Sequence, residues 1–111
     1  VWSSIDEVAI TFPYSCVLRI QKSPGDMPKL VVEHLQGSRV AFRKLNQRCM
    51  SRCPRLTGEY VFGASGYTFN FAVNEESGLI CCLVARDDTD RGMNFRYLHM
   101  VNDAFKGFSW S

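Results

Sequence analysis

Tyr67, Phe69, Phe71 and Val73 alternate with Thr68, Asn70 and Ala72, a period of two that predicts a strand with one apolar face. The run Leu79 to Ala85, LICCLVA, has no polar alternation and predicts a strand covered on both faces. Between them, Asn74-Glu75-Glu76-Ser77-Gly78 predicts a hairpin loop. Upstream, residues 8–20 (VAITFPYSCVLRI) are rich in β-branched and aromatic side chains and predict another strand. Pro13 has no amide hydrogen to give a ladder, so it fits near the start of the paired portion or at a bulge. Leu30 to Leu35 predicts a second strand, joined to the first as a hairpin by the Pro- and Gly-containing loop 22–28. Glu59 to Phe62 predicts a short strand that stops at Gly63.

The period changes at Gly37-Ser38. Ala41, Phe42, Leu45, Cys49 and Cys53 recur at steps of three and four, which predicts a helix capped by Ser38 and ended by Pro54. Met93, Tyr97, Leu98, Val101, Ala104, Phe105 and Phe108 predict a second helix over 93–108, with Gly107 near its end. Asp87, Asp88 and Asp90 stand before it, where acids suit the partial positive charge of a helix N-terminus. The order strand, strand, helix, three strands, helix predicts an α+β fold. Its sheet has five mostly antiparallel strands with helices packed on both faces. No repeat, linker or low-complexity stretch divides the chain, so residues 1–111 are expected to form a single domain.

Composition agrees with a folded domain: 46% of residues are hydrophobic and 22% charged. The charge is unevenly placed. Arg39, Arg43, Lys44, Arg48, Arg52 and Arg55 lie in one stretch without an acid, leaving the remainder net negative, an asymmetry that predicts one basic face. The five cysteines are Cys16, Cys49, Cys53, Cys81 and Cys82. Cys81 and Cys82 are adjacent, so a strand sends them to opposite faces, and reduced, buried thiols in a cytosolic protein are expected. No signal peptide is expected, because no basic segment and apolar run open the chain. Starting on Val1 rather than Met, it is expected to be a fragment or a processed chain.

The catalytic and metal-binding patterns in the chain are each incomplete. Gly63-Ala64-Ser65-Gly66 lacks the second glycine of a nucleophile elbow and lies between strands, so a hairpin turn is expected. Cys49 and Cys53 could pair as ligands, but Cys81 and Cys82 cannot supply a second pair from one strand face. His34 and His99 are not close in sequence to a cysteine that either could activate. Counted from Asp88, an EF-hand would need glycine at Met93 and glutamate at His99. No enzyme activity, cofactor, metal or small-molecule substrate is expected. The basic helix could meet phosphates, an anionic membrane surface or an acidic partner. Phe42 falls on its apolar stripe rather than among the bases, so nucleic acid is not expected as a partner.

The element order and four stretches resemble the longin domain of long vesicle-type (synaptobrevin-like) SNARE proteins, from about Ile10 to Phe108. Tyr14-Ser15-Cys16-Val17-Leu18-Arg19 looks like the family's opening strand. Gly66-Tyr67-Thr68-Phe69-Asn70-Phe71, the Glu75-Glu76 turn and Leu79-Ile80-Cys81-Cys82-Leu83 look like its central hairpin. Arg91-Gly92-Met93-Asn94-Phe95-Arg96-Tyr97-Leu98 is similar to its second helix, and Phe42-Arg43-Lys44-Leu45-Asn46 to the first helix of the branch working between endoplasmic reticulum and Golgi. No heptad run is present, so an excised N-terminal part or a longin protein without the fusion motif is expected.

The resemblance implies a regulatory, protein-binding domain at the cytoplasmic face of endomembranes (ER–Golgi, vesicle or endosomal), this fragment being soluble. Its implied partners are its own or another SNARE motif and coat or sorting proteins. A subunit of a vesicle coat or tethering complex is the alternative. The surface implied lies between the first helix and the neighbouring edge strand. It maps onto Phe42, Leu45, Cys49, Tyr60 and Phe62, with Arg43, Lys44 and Arg48 as a basic rim.

Overall fold

The computed structural model describes residues 12–23, 25–36 and 40–106. Within them the elements run β1 (Tyr14–Arg19), β2 (Lys29–Leu35), α1 (Val40–Met50), β3 (Gly58–Ala64), β4 (Tyr67–Asn74), β5 (Leu79–Arg86) and α2 (Arg91–Phe105). The strands form one sheet in the order β2-β1-β5-β4-β3, and every neighbouring pair is antiparallel. The architecture is the expected α+β one and is compatible with a longin or profilin-like domain. Ser38, Arg39, Gly107, Phe108 and residues 8–11 lie outside the described residues.

The two apolar strands sit where their patterns require. β5 is interior, between β1 and β4, and every side chain from Leu79 to Ala85 is buried. Cys81, Leu83 and Ala85 enter the core beneath α2 with Ala72, Val17, Phe95 and Leu98. Ile80, Cys82 and Val84 enter the core beneath α1 with Tyr14, Phe69, Phe71 and Val73. The adjacent cysteines therefore belong to different cores, and all five cysteines are free thiols. One helix on each face is what a sheet with two apolar faces demands.

The turns follow from backbone chemistry. Ala64 pairs with Tyr67, so Ser65-Gly66 is a two-residue hairpin turn with φ of 55° and 80°. Positive φ at both central positions is the type I′ geometry, whose twist matches the flanking strands. Gly63 does not stop β3: it pairs with Thr68 inside a seven-residue strand, longer than the sequence pattern predicts. Pro13 lies just ahead of β1, and its carbonyl accepts the Gln36 amide at 3.1 Å across the hairpin. A bulge between Val17 and Leu18 shifts the β1–β2 register, so Val31 and Val32 both pack against the α2-side core.

α2 starts where the acids predict. Asp90 is its N-cap, and its Oδ2 accepts the Met93 amide at 2.9 Å. Its buried face holds Asn94, Phe95, Leu98, Val101, Asn102 and Phe105, while Met93 and Tyr97 are half-buried. α1 buries Phe42, Asn46 and Met50, one every four residues. Each apolar anchor contributes about 1.5–3 kcal/mol of burial. The helix ends at Met50, not at Pro54, so Cys53 is a buried residue of the following turn. There the bonding tightens to three-residue spacing: the Arg52 amide donates to the Cys49 carbonyl at 3.0 Å, and the Cys53 amide to Met50 at 3.1 Å.

Candidate functional site

Where α1 passes over the sheet edge, a groove of ≈ 500 Å³ opens between the helix and β3. Leu45 and Cys49 form its helix wall, and residues 61–64 of β3 form the other. Leu45, Cys49 and Phe62 are half-buried, with one side in the core and the other toward the groove. Phe62 is fixed from beneath, its ring meeting Phe71 edge-on at 5.7 Å. Arg48 and Arg52 complete the lining at the mouth.

The eight side chains expected at this surface divide into three groups. Leu45, Cys49, Phe62 and Arg48 come together in the groove. Phe42 lies below it, 8% exposed, with its ring edge-on to Tyr67 at 4.8 Å, and is part of the core. Tyr60 is half-buried against the same core, and its hydroxyl donates to the Leu56 carbonyl at 2.8 Å, away from the groove lining. Lys44 is exposed and does not line the groove.

Arg43 leaves the groove altogether. It reaches to β2, where Nε and Nη2 form a two-pronged pair with Glu33 at 3.1 and 2.5 Å. Tyr14 donates its hydroxyl to the same carboxylate at 2.7 Å. Burial pushes the Glu33 carboxyl up, but the Arg43 and Tyr14 bonds outweigh it and hold the group below the usual carboxylate range. Burial, reinforced by Cys16 and Glu33, in turn keeps the Tyr14 hydroxyl protonated far above its ordinary value.

The basic stretch is thus not one face. Arg55 caps the end of α1, donating to the Met50 and Cys53 carbonyls at 3.1 and 2.6 Å. Arg43 serves the β2 side, and Arg48 with Arg52 serves the groove. Among the described residues, neither of these last two has a hydrogen bond or ion pair from its side chain.

No family model matches the chain. Vesicle-associated membrane protein 727 of Arabidopsis thaliana is 31% identical over 65 residues, which is 59% of this chain and 26% of that protein. Vesicle-associated membrane proteins 722 and 721 of the same plant are each 28% identical over 64 residues, 58% of this chain and 28% of theirs. The likeness is to vesicle-associated membrane proteins. The chain matches only about a quarter of the length of these relatives.

Beside that likeness to vesicle-associated membrane proteins, the thiols and histidines have these settings. Burial pushes Cys53 up to about 11 and Cys81 further, so both are held as thiols. Cys49 is also raised by burial, against the opposing pull of Arg52 and Arg48. His99 is exposed and joins α2 to β3 through Glu59, with Nε2 at 2.7 Å from Oε2. Among the described residues no three His, Cys, Asp or Glu side chains cluster as metal ligands. None of their helices is long and apolar enough to cross a membrane.

Sequence patterns missed Arg52 as a groove residue and Asn46 as a core residue. Arg52 was visible only as one more base in a run. Asn46 carries no apolar signal, yet it is 3% exposed and its Nδ2 donates to Cys16 Sγ at 3.6 Å. The position itself was the available cue, since Asn46 lies midway between Phe42 and Met50 at four-residue steps.

Proposed function

We propose that this chain is a longin-type regulatory domain of a vesicle SNARE-type protein acting at the cytoplasmic face of endomembranes. It binds its own SNARE motif or a sorting partner rather than catalysing a reaction. The observation carrying this reading is the groove between α1 and β3, half apolar and open along a sheet edge that no strand pairs among the described residues. A sheet edge offers backbone donors and acceptors to an added segment, and half-buried Leu45, Cys49 and Phe62 offer the apolar contact that anchors it. The sequence likeness to vesicle-associated membrane proteins supports the trafficking context.

The site residues of this reading are Leu45, Cys49 and Phe62, with Arg48 at the rim. Phe42 acts from beneath by holding α1 at the height that leaves the groove open.

The test is an NMR titration of the isotopically labelled chain with a SNARE-motif peptide. Amide shifts concentrated between residues 45 and 64 are the expected result. Absence of shifts at large peptide excess would remove the SNARE-binding mechanism and favour a fixed subunit of a coat or tether.

A further inference from the structure

The α1–β3 groove has an electrostatic character that its shape does not require. Arg48 and Arg52 stand four residues apart at the mouth, and both approach the Cys49 thiol on the groove wall. Arg48 on the last turn of α1 and Arg52 in the turn after it line the same groove, so its basic charge is doubled there. Among the described residues no carboxylate lines the groove to offset them. The nearby acids have partners elsewhere: Glu33 is paired with Arg43, Glu59 meets His99, and Glu75 accepts the Thr57 amide at 3.0 Å.

We infer that the groove selects an extended protein segment in which carboxylates stand beside apolar side chains. The inference rests on the docking surface proposed above and states what occupies it. An added strand along β3 sends alternate side chains toward α1. Apolar ones fall on Leu45, Cys49 and Phe62, and an acidic one beside them reaches Arg48 or Arg52. Two unpaired guanidinium groups beside a low-dielectric wall make charge-assisted bonds to a carboxylate without first breaking a bond within the protein. An anionic membrane is the poorer match, because the arginines sit at the mouth of a cleft lined by apolar side chains and strand edge.

The experiment pans a phage-displayed library of random peptides on the intact chain and measures the enriched peptides by fluorescence anisotropy. It uses the wild type, the double variant Arg48→Gln/Arg52→Gln, and Leu45→Glu. Both arginines are exposed, so the double variant keeps the fold. Enriched peptides should combine Asp or Glu with apolar residues and bind the double variant about tenfold more weakly, the summed effect of two partly exposed ion pairs. The difference should shrink as salt rises.

Peptides that lose binding to Leu45→Glu but bind the double variant normally overturn the acidic selection and leave the groove intact as a docking site. Peptides indifferent to both variants, or no enrichment, overturn the groove reading and this inference together. Because Leu45→Glu could disturb packing, amide-shift mapping on the wild type independently locates the bound peptide. Binding of phosphatidylserine vesicles that depends on the two arginines, without peptide selection, overturns the inference in favour of a membrane contact.

Discussion

Along its β2 side, α1 is tied to the sheet by directional bonds. Arg43 clamps Glu33, Tyr14 donates to the same carboxylate, and Asn46 reaches Cys16. Along its β3 side no hydrogen bond or ion pair crosses from helix to strand among the described residues, and the contact consists of half-buried Leu45, Cys49 and Phe62. A hydrogen-bonded clamp fixes distance and register, whereas apolar contact tolerates being repacked against something else. One flank therefore sets where the helix sits, and the other remains available. The teaching is that the open side of a helix can be held in place from its far side, where the Arg43–Glu33 clamp lies.

The largest effect should come from removing the anchor the flanks share. Met50→Ala deletes a side chain that is 2% exposed and should cost about 2–4 kcal/mol in urea denaturation, while also weakening peptide binding. A variant stable to within a few tenths of a kcal/mol would mean α1 is held by its clamp alone.

Glu33→Gln breaks only the β2 clamp and should cost about 1 kcal/mol at neutral pH, modest because Arg43 is partly in solvent. It also carries a pH signature. The Glu33 carboxyl titrates lower in the folded chain than its ordinary value of 4.5, so its stabilisation is complete above that value. It is lost as pH falls through the lower folded value. The wild type should therefore lose stability faster than Glu33→Gln on acidification below 4.5, and parallel acid limbs would show that the clamp is not formed in solution.

Cys49 reports on the open side without a substitution. It is the half-buried thiol of the five, so a maleimide should label it at least about tenfold faster than the four buried ones, and faster still at alkaline pH because burial raises its pKa. Peptide mass mapping reads this directly, and equal labelling of Cys16 would erase the contrast between flanks.

The smallest effect should be that of Arg48→Gln/Arg52→Gln on stability, within about 0.5 kcal/mol. A larger loss in thermal unfolding would assign these arginines to the fold rather than to a partner.

What the sequence made legible was set by single elements. The alternation of Tyr67, Phe69, Phe71 and Val73, the unbroken run Leu79 to Ala85, the division of Cys81 from Cys82, and the Asp90 cap are all local consequences of strand or helix geometry. What stayed hidden involved a second element. Arg43 looked like its neighbours until β2 supplied Glu33, and Arg55 looked like part of a basic face although it caps the carbonyls of Met50 and Cys53. Asn46, Asn94 and Asn102 are buried because their helices turn that side inward, and polarity alone argued the opposite. The groove was half legible: Leu45, Cys49, Phe62 and Arg48 do line one cleft, whereas Phe42 lies beneath it.

The strand order has a consequence for how the chain assembles in time. β1–β2 and β3–β4–β5 are each closed by turns between consecutive strands, so either can form early from nearby residues. The two join along one seam, where Tyr14 pairs with Val84 and Cys16 with Cys82, far apart in sequence. Closing so long a loop is the slow event that topology imposes on folding. During synthesis, β1 has no inner neighbour until β5 has left the ribosome, and its interior edge stays exposed until then. The seam that makes β5 the best-buried strand of the finished sheet is thus also its longest-range closure in sequence.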